Sequence, residues 1–78
     1  MSHSYLDKVL YHGLNLQAAI ETGNESRIQS YFDKVNYFIA REQEVYGDQA
    51  MEDLYEALTP EIIEALYTAE EIVENCNA

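Results

Sequence analysis

Beyond Arg41 the sequence contains no lysine and no arginine, and this is its largest omission. Smaller scarcities narrow the field first. A single cysteine, Cys76, cannot close an intramolecular disulfide, so a stapled framework is excluded and Cys76 reads as a small apolar residue near the chain end. The glycines, at positions 13, 23 and 47, are too scattered to form a phosphate-cradling loop. Both histidines, His3 and His12, precede every glutamate, so the Glu-x-x-His pairs of a di-iron carboxylate bundle cannot occur. The acids fall inside helical patterns rather than in a twelve-residue loop, which removes the calcium-loop arrangement. Ser4, Ser26 and Ser30 stand at expected helix starts, where capping or exposure accounts for them, and none forms a nucleophile–histidine pattern. No catalytic residue, metal site or cofactor is therefore expected. No apolar run approaches membrane-spanning length, and MSHSYLDKVL lacks the basic and apolar regions of a signal peptide. The expectation is a cytoplasmic chain, in which the sequon Asn24-Glu25-Ser26 is a chance match.

What is present is an unequal division of charge. Residues 1–41 hold four acids (Asp7, Glu21, Glu25, Asp33) and four bases (Lys8, Arg27, Lys34, Arg41). The whole net charge of −11 therefore belongs to residues 42–78. Such a segment repels nucleic acid and anionic membranes and attracts basic surfaces.

Apolar spacing is helical almost throughout, and the fold class expected is all-α: a single small domain over 1–78, built from helices at about 5–22, 25–46, 49–58 and 60–75. Leu6, Val9, Leu10, Gly13, Leu16, Gln17 and Ile20 share one side of the first helix at ~100° per residue. Ser4 with Asp7 marks its start, and Gly23 marks its end. Asn24 caps the second helix, whose stripe is Ile28, Tyr31, Phe32, Val35, Phe38, Ile39 and Tyr46. A turn this short makes the pair an antiparallel hairpin. Asp48 is the expected cap of a third helix that turns Met51, Leu54, Tyr55 and Leu58 inward. Thr59-Pro60-Glu61 restarts the chain as a fourth helix, which packs Ile62, Leu66, Ala69 and Val73.

Two features stand out on these helices. Glu42 projects into the apolar stripe of the second helix, where an unpaired buried charge is costly. The expectation is that the core has ended there and Glu42 lies at the rim, meeting a tyrosine hydroxyl or His12; the alternative is an exposed docking surface around Phe38, Glu42, Tyr46 and Tyr37. His12 reads as a half-buried packing residue. Among the tyrosines, Tyr31, Tyr46 and Tyr55 project with the core, Tyr5 lies at its edge, and Tyr11, Tyr37 and Tyr67 project onto polar faces.

The acids of the last two helices point outward in clusters: Glu52, Asp53 and Glu56 on the third, and Glu61, Glu64, Glu71 and Glu74 on the fourth. Steps of three or four residues place successive carboxylates ~5 Å apart along the axis, comparable in scale to the charge repeat of a nucleic-acid backbone. Acids favour helices and solubility alone, but a surface selected for that mixes both signs, as the first half does. The composition is similar to that of the small acidic DNA-mimic and anti-defence inhibitors of phages and mobile elements, a likeness of class that carries no motif. It implies a non-enzymatic inhibitor that blocks a basic, nucleic-acid-binding site on a partner protein without touching nucleic acid or membrane itself. The residues expected to make the contact are Glu52, Asp53, Glu56, Glu61, Glu64 and Glu71, with Tyr67 as an anchor. The rival expectation is a helical adaptor or homodimerisation module that docks through apolar and aromatic surface.

Overall fold

A computed structural model of the chain describes residues 5–77, with side chains described for residues 5–75. It holds four helices, α1 (Leu6–Thr22), α2 (Glu25–Tyr46), α3 (Gln49–Ala57) and α4 (Pro60–Asn77), and no strand among the described residues. The fold is an all-α bundle. Ser4 and the side chain of Cys76 lie outside the described residues.

Local chemistry sets the helix ends. The Gly23 N–H donates to Ile20 O and the Asn24 N–H to Ala19 O, both at 3.1 Å, which closes α1. Asn24 then opens α2, its Oδ1 accepting the Arg27 N–H at 3.1 Å. One residue thus ends a helix with its backbone and starts the next with its side chain. Before α4, Thr59 Oγ1 accepts the Ile62 N–H at 3.3 Å and Pro60 occupies the first helical position, where its missing N–H costs nothing. Asp48 departs from expectation. Its φ of −62° and ψ of −27° are already helical, and its carboxylate makes no capping bond. A capping side chain reaches the first turn only from an extended backbone. The reversal into α3 falls instead to Gly47, whose φ of 62° and ψ of −138° suit no side chain.

Two connected clusters make the core. Leu16, Ala19, Ile28 and Ala69 fill the end near the α1–α2 turn. Val9, Val35, Leu54, Leu58 and Ile62 fill the other end, and Leu66 packs against both. α1 and α2 form the expected hairpin, and α4 lies across both. α3 packs on α2 and touches α1, but does not pack on α4 although the two are consecutive.

Three inward assignments are corrected. α3 buries Ala50, Leu54 and Leu58, while Met51 and Tyr55 are 38 % and 58 % exposed. The apolar residues of this short helix occupy two adjacent rows, and the row with alanine at its head allows the closer approach. Tyr46 is 40 % exposed, because α2 ends there and Gly47 turns the chain away. Glu42 is not at the rim: it is 1 % exposed, buried within the fold. The core continues past it because α3 folds back and adds Ala50 and Leu54.

The seating of α4 on α1 is close at Gly13. A Cβ built there falls 2.7 Å from Ile62 Cγ2. That methyl belongs to a β-branched side chain that is 1 % exposed and cannot rotate away cheaply. Overpacking costs about 1–3 kcal/mol, against a gain of about 1 kcal/mol in helix propensity for Gly→Ala. Gly13→Ala therefore destabilises the protein, by roughly 1 kcal/mol, in urea denaturation. In an Ile62→Ala background the same substitution stabilises it; a loss of equal size in both backgrounds would refute the contact.

Candidate functional site

The acids beyond Arg41 dominate the surface of α3 and α4. Glu52, Glu56, Glu61, Glu64 and Glu71 are exposed, and Asp53 is half-buried with its Oδ1 accepting from Gln49 Nε2 at 3.2 Å. Tyr67 is 60 % exposed. All seven expected contact residues stand on regular helix, so their spacing is fixed by the backbone rather than by loop conformation. Arg41, the last base, is drawn into local contacts. Its guanidinium meets Glu44 at 2.9 Å and lies 5.9 Å from the Tyr5 ring centroid. A hydrogen bond with Tyr5, helped by the Glu44 charge, raises its pKa further above the ordinary arginine value.

The structure sets three of the seven residues at two separate grooves beside α4. Glu61 and Glu64 come together with Glu21 of α1 along a shallow groove of about 230 Å³, so that three carboxylates border one depression. Tyr67 borders a different groove, on the α3 side. Glu52, Asp53, Glu56 and Glu71 line neither.

The groove on the α3 side is the feature that sequence reasoning misses. Because α3 and α4 do not pack on each other, an opening of about 280 Å³ lies between them. Phe32 and Ile39 of α2 line its base with Leu54, Leu58 and Leu66. Met51 and Tyr55 of α3 and Tyr67 of α4 form exposed lips, and Glu70 supplies an acidic edge. The signal available in the sequence was the alanine at position 50, which marks the row able to approach α2 and so assigns Met51 and Tyr55 outward.

The other titratable group in an unusual setting is His12, on the balanced half. Its ring stacks on Phe38 at 5.5 Å between centroids and 4° between planes, and Tyr11 meets it edge-on at 5.1 Å. Nδ1 is buried with no hydrogen-bond partner among the described residues. Burial, then the charges of Lys34 and Lys8, push its pKa below the ordinary histidine value. Among the described residues no group of three His, Cys, Asp or Glu is disposed to hold a metal ion. No described helix is long and apolar enough to cross a membrane.

Compared with known proteins, the chain matches no family model, no curated protein and no solved structure. Its fold and surface define it as a small acidic all-α protein of four helices.

His12 gives a pH test of the packing. With its folded pKa depressed, the unfolded chain takes up the proton first, so its contribution to stability is complete above pH ~6.5 and is lost as pH falls through the folded pKa. Denaturation at pH 7 and pH 5 should show His12→Phe gaining on the parent as pH falls. Protonation of the carboxylates is common to both proteins and cancels in the difference. Parallel pH profiles would contradict the assigned environment.

Proposed function

We propose that this protein is a non-enzymatic cytoplasmic inhibitor that uses the anionic surface of α3 and α4 to occupy a basic, nucleic-acid-binding site on another protein. The observation that carries this reading is the charge of α3 and α4, which hold Glu52, Asp53, Glu56, Glu61, Glu64, Glu70, Glu71 and Glu74 and not a single lysine or arginine. Like-charge neighbours on a helix destabilise it by a few tenths of a kcal/mol per pair, and interleaved lysines would relieve this at no cost to solubility. Forgoing that relief along two helices is the pattern of a surface matched to a cationic partner. Such a surface speeds encounter with the partner and disfavours anionic competitors, and its attraction weakens with salt.

The second reading, a helical adaptor, draws support from the apolar opening between α3 and α4. Of the alternative surface around Phe38, Glu42, Tyr46 and Tyr37, Glu42 is buried and drops out, while Tyr37 and Tyr46 are exposed.

The test is capture from the native host's lysate on immobilised protein, eluted along a salt gradient and then competed with duplex DNA. A partner of the proposed kind binds nucleic acid, is displaced by DNA, and weakens roughly tenfold between about 50 and 300 mM salt. The double charge reversal Glu64→Lys with Glu71→Lys weakens capture by a similar factor, because both carboxylates are exposed on α4. Capture unaffected by salt and by the reversal would refute the reading.

A further inference from the structure

We propose that the opening between α3 and α4 is the seat for a basic amphipathic helix of the partner, apolar face down. This rests on the reading that the partner is a cationic protein, and it adds what part of that partner is gripped.

The geometry suits a helix. α3 has nine residues, so its wall runs roughly 13 Å, or between two and three helical turns. A helix lying along it would present side chains at i, i+3 or i+4, and i+7, the spacing of helix-in-groove recognition. The opening holds about 280 Å³. A dry cavity of ~150 Å³ accepts a benzene ring, so there is room for about two large apolar side chains.

The lining suits anchors. Leu54 and Leu58 are buried at the base, while Tyr55 and Tyr67 stand 58 % and 60 % exposed on opposite lips. Tyrosines give contact area at a small entropic cost, and Met51 beside them adjusts its shape to an irregular guest. Three large apolar side chains turned to solvent around one concave opening differ from the scattered exposure of an ordinary surface.

Charge selects the guest. Glu70 lines the opening, Glu52 and Glu56 are exposed on α3, and Glu71 on α4. No base lies anywhere in residues 42–78. A helix carrying lysine or arginine along the borders of its apolar face meets Glu70 at the opening, with further carboxylates exposed elsewhere on the same two helices. A second copy of this chain would bring −11 against −11, and nucleic acid would bring phosphate against carboxylate.

The experiment titrates the full chain with synthetic ~16-residue amphipathic helices, long enough to fill the groove and near the length at which a helix is marginally stable alone. One probe carries Leu or Phe anchors and a lysine face. A second has the same composition scrambled, a third has alanine at the anchors, and a fourth has serine in place of lysine. The first should bind at least tenfold more tightly than each of the others, with amide shifts confined to α3, α4 and the facing part of α2. Tyr55→Ala with Tyr67→Ala should lower that affinity at least tenfold without loss of helical circular dichroism, since both rings are solvent-exposed. If the scrambled and alanine probes bind equally well and salt releases them all, the groove assignment is overturned while the anionic reading stands. If the serine probe binds as tightly as the lysine probe, the proposal is overturned together with the charge-based reading. A self-association that protects Tyr55 and Tyr67, seen by light scattering and by loss of peptide binding, also overturns it.

Discussion

The arrangement of this protein depends on how closely α4 can sit on α1. Ile62 places a methyl where any residue but glycine at position 13 would carry its Cβ. Ala65 and Ala69, further along the same helix, are buried as well, so α4 presents a row of small side chains inward. A helix held that tightly against α1 and α2 has committed its apolar face. α3, too short to reach across it, commits its own face to α2. Both helices pack on α2 and reach α1 but not each other, and the apolar opening between them follows from that arrangement rather than from a dedicated motif.

The same division eases the electrostatic problem. Stability here comes from apolar burial and from the ring contacts that tie Tyr5 and His12 to Phe38 of α2, because an exposed pair such as Arg41–Glu44 is worth little. The charge-balanced hairpin therefore supplies a foundation on which two acidic helices can be mounted. Carboxylates on α3 and α4 repel each other, and keeping the two helices out of contact leaves solvent between their charges, where screening is effective beyond about 8 Å. Packing α3 directly on α4 would bring Glu52 and Glu56 nearer to the acids of α4.

The parts of this structure legible in the sequence are those decided locally. Asn24, Gly23 and the Thr59-Pro60 start act within one turn of the chain, and the six-turn stripe of α2 repeats often enough to fix its inward direction. The rotation of α3 was not legible in this way. Nine residues carrying apolar side chains at positions 50, 51, 54, 55 and 57, followed by Leu58, offer two faces, and contact with α2 chooses between them. Glu42 misled for a related reason: a carboxylate on an apolar stripe reads as the end of that stripe, and its burial depends on a helix arriving from later in the chain. The acidic character of the candidate surface was plain from counting charges. The groove beside it was not, because it lies where two helices fail to meet.

α3 has one further property that follows from its length. An isolated helix of nine residues does not hold together in water, so α3 exists only while Ala50, Leu54 and Leu58 stay buried. It is bounded by Gly47 on one side and the extended Leu58 on the other, two points where the backbone already leaves helical geometry. The element with the fewest anchoring contacts is thus also one wall of the opening. A segment so short and so lightly anchored is of the kind that opens locally at less cost than global unfolding. In the proposed complex a guest that fits the wall would tighten it and one that does not would displace it, so the folding equilibrium of a single short segment would gauge what the opening accepts.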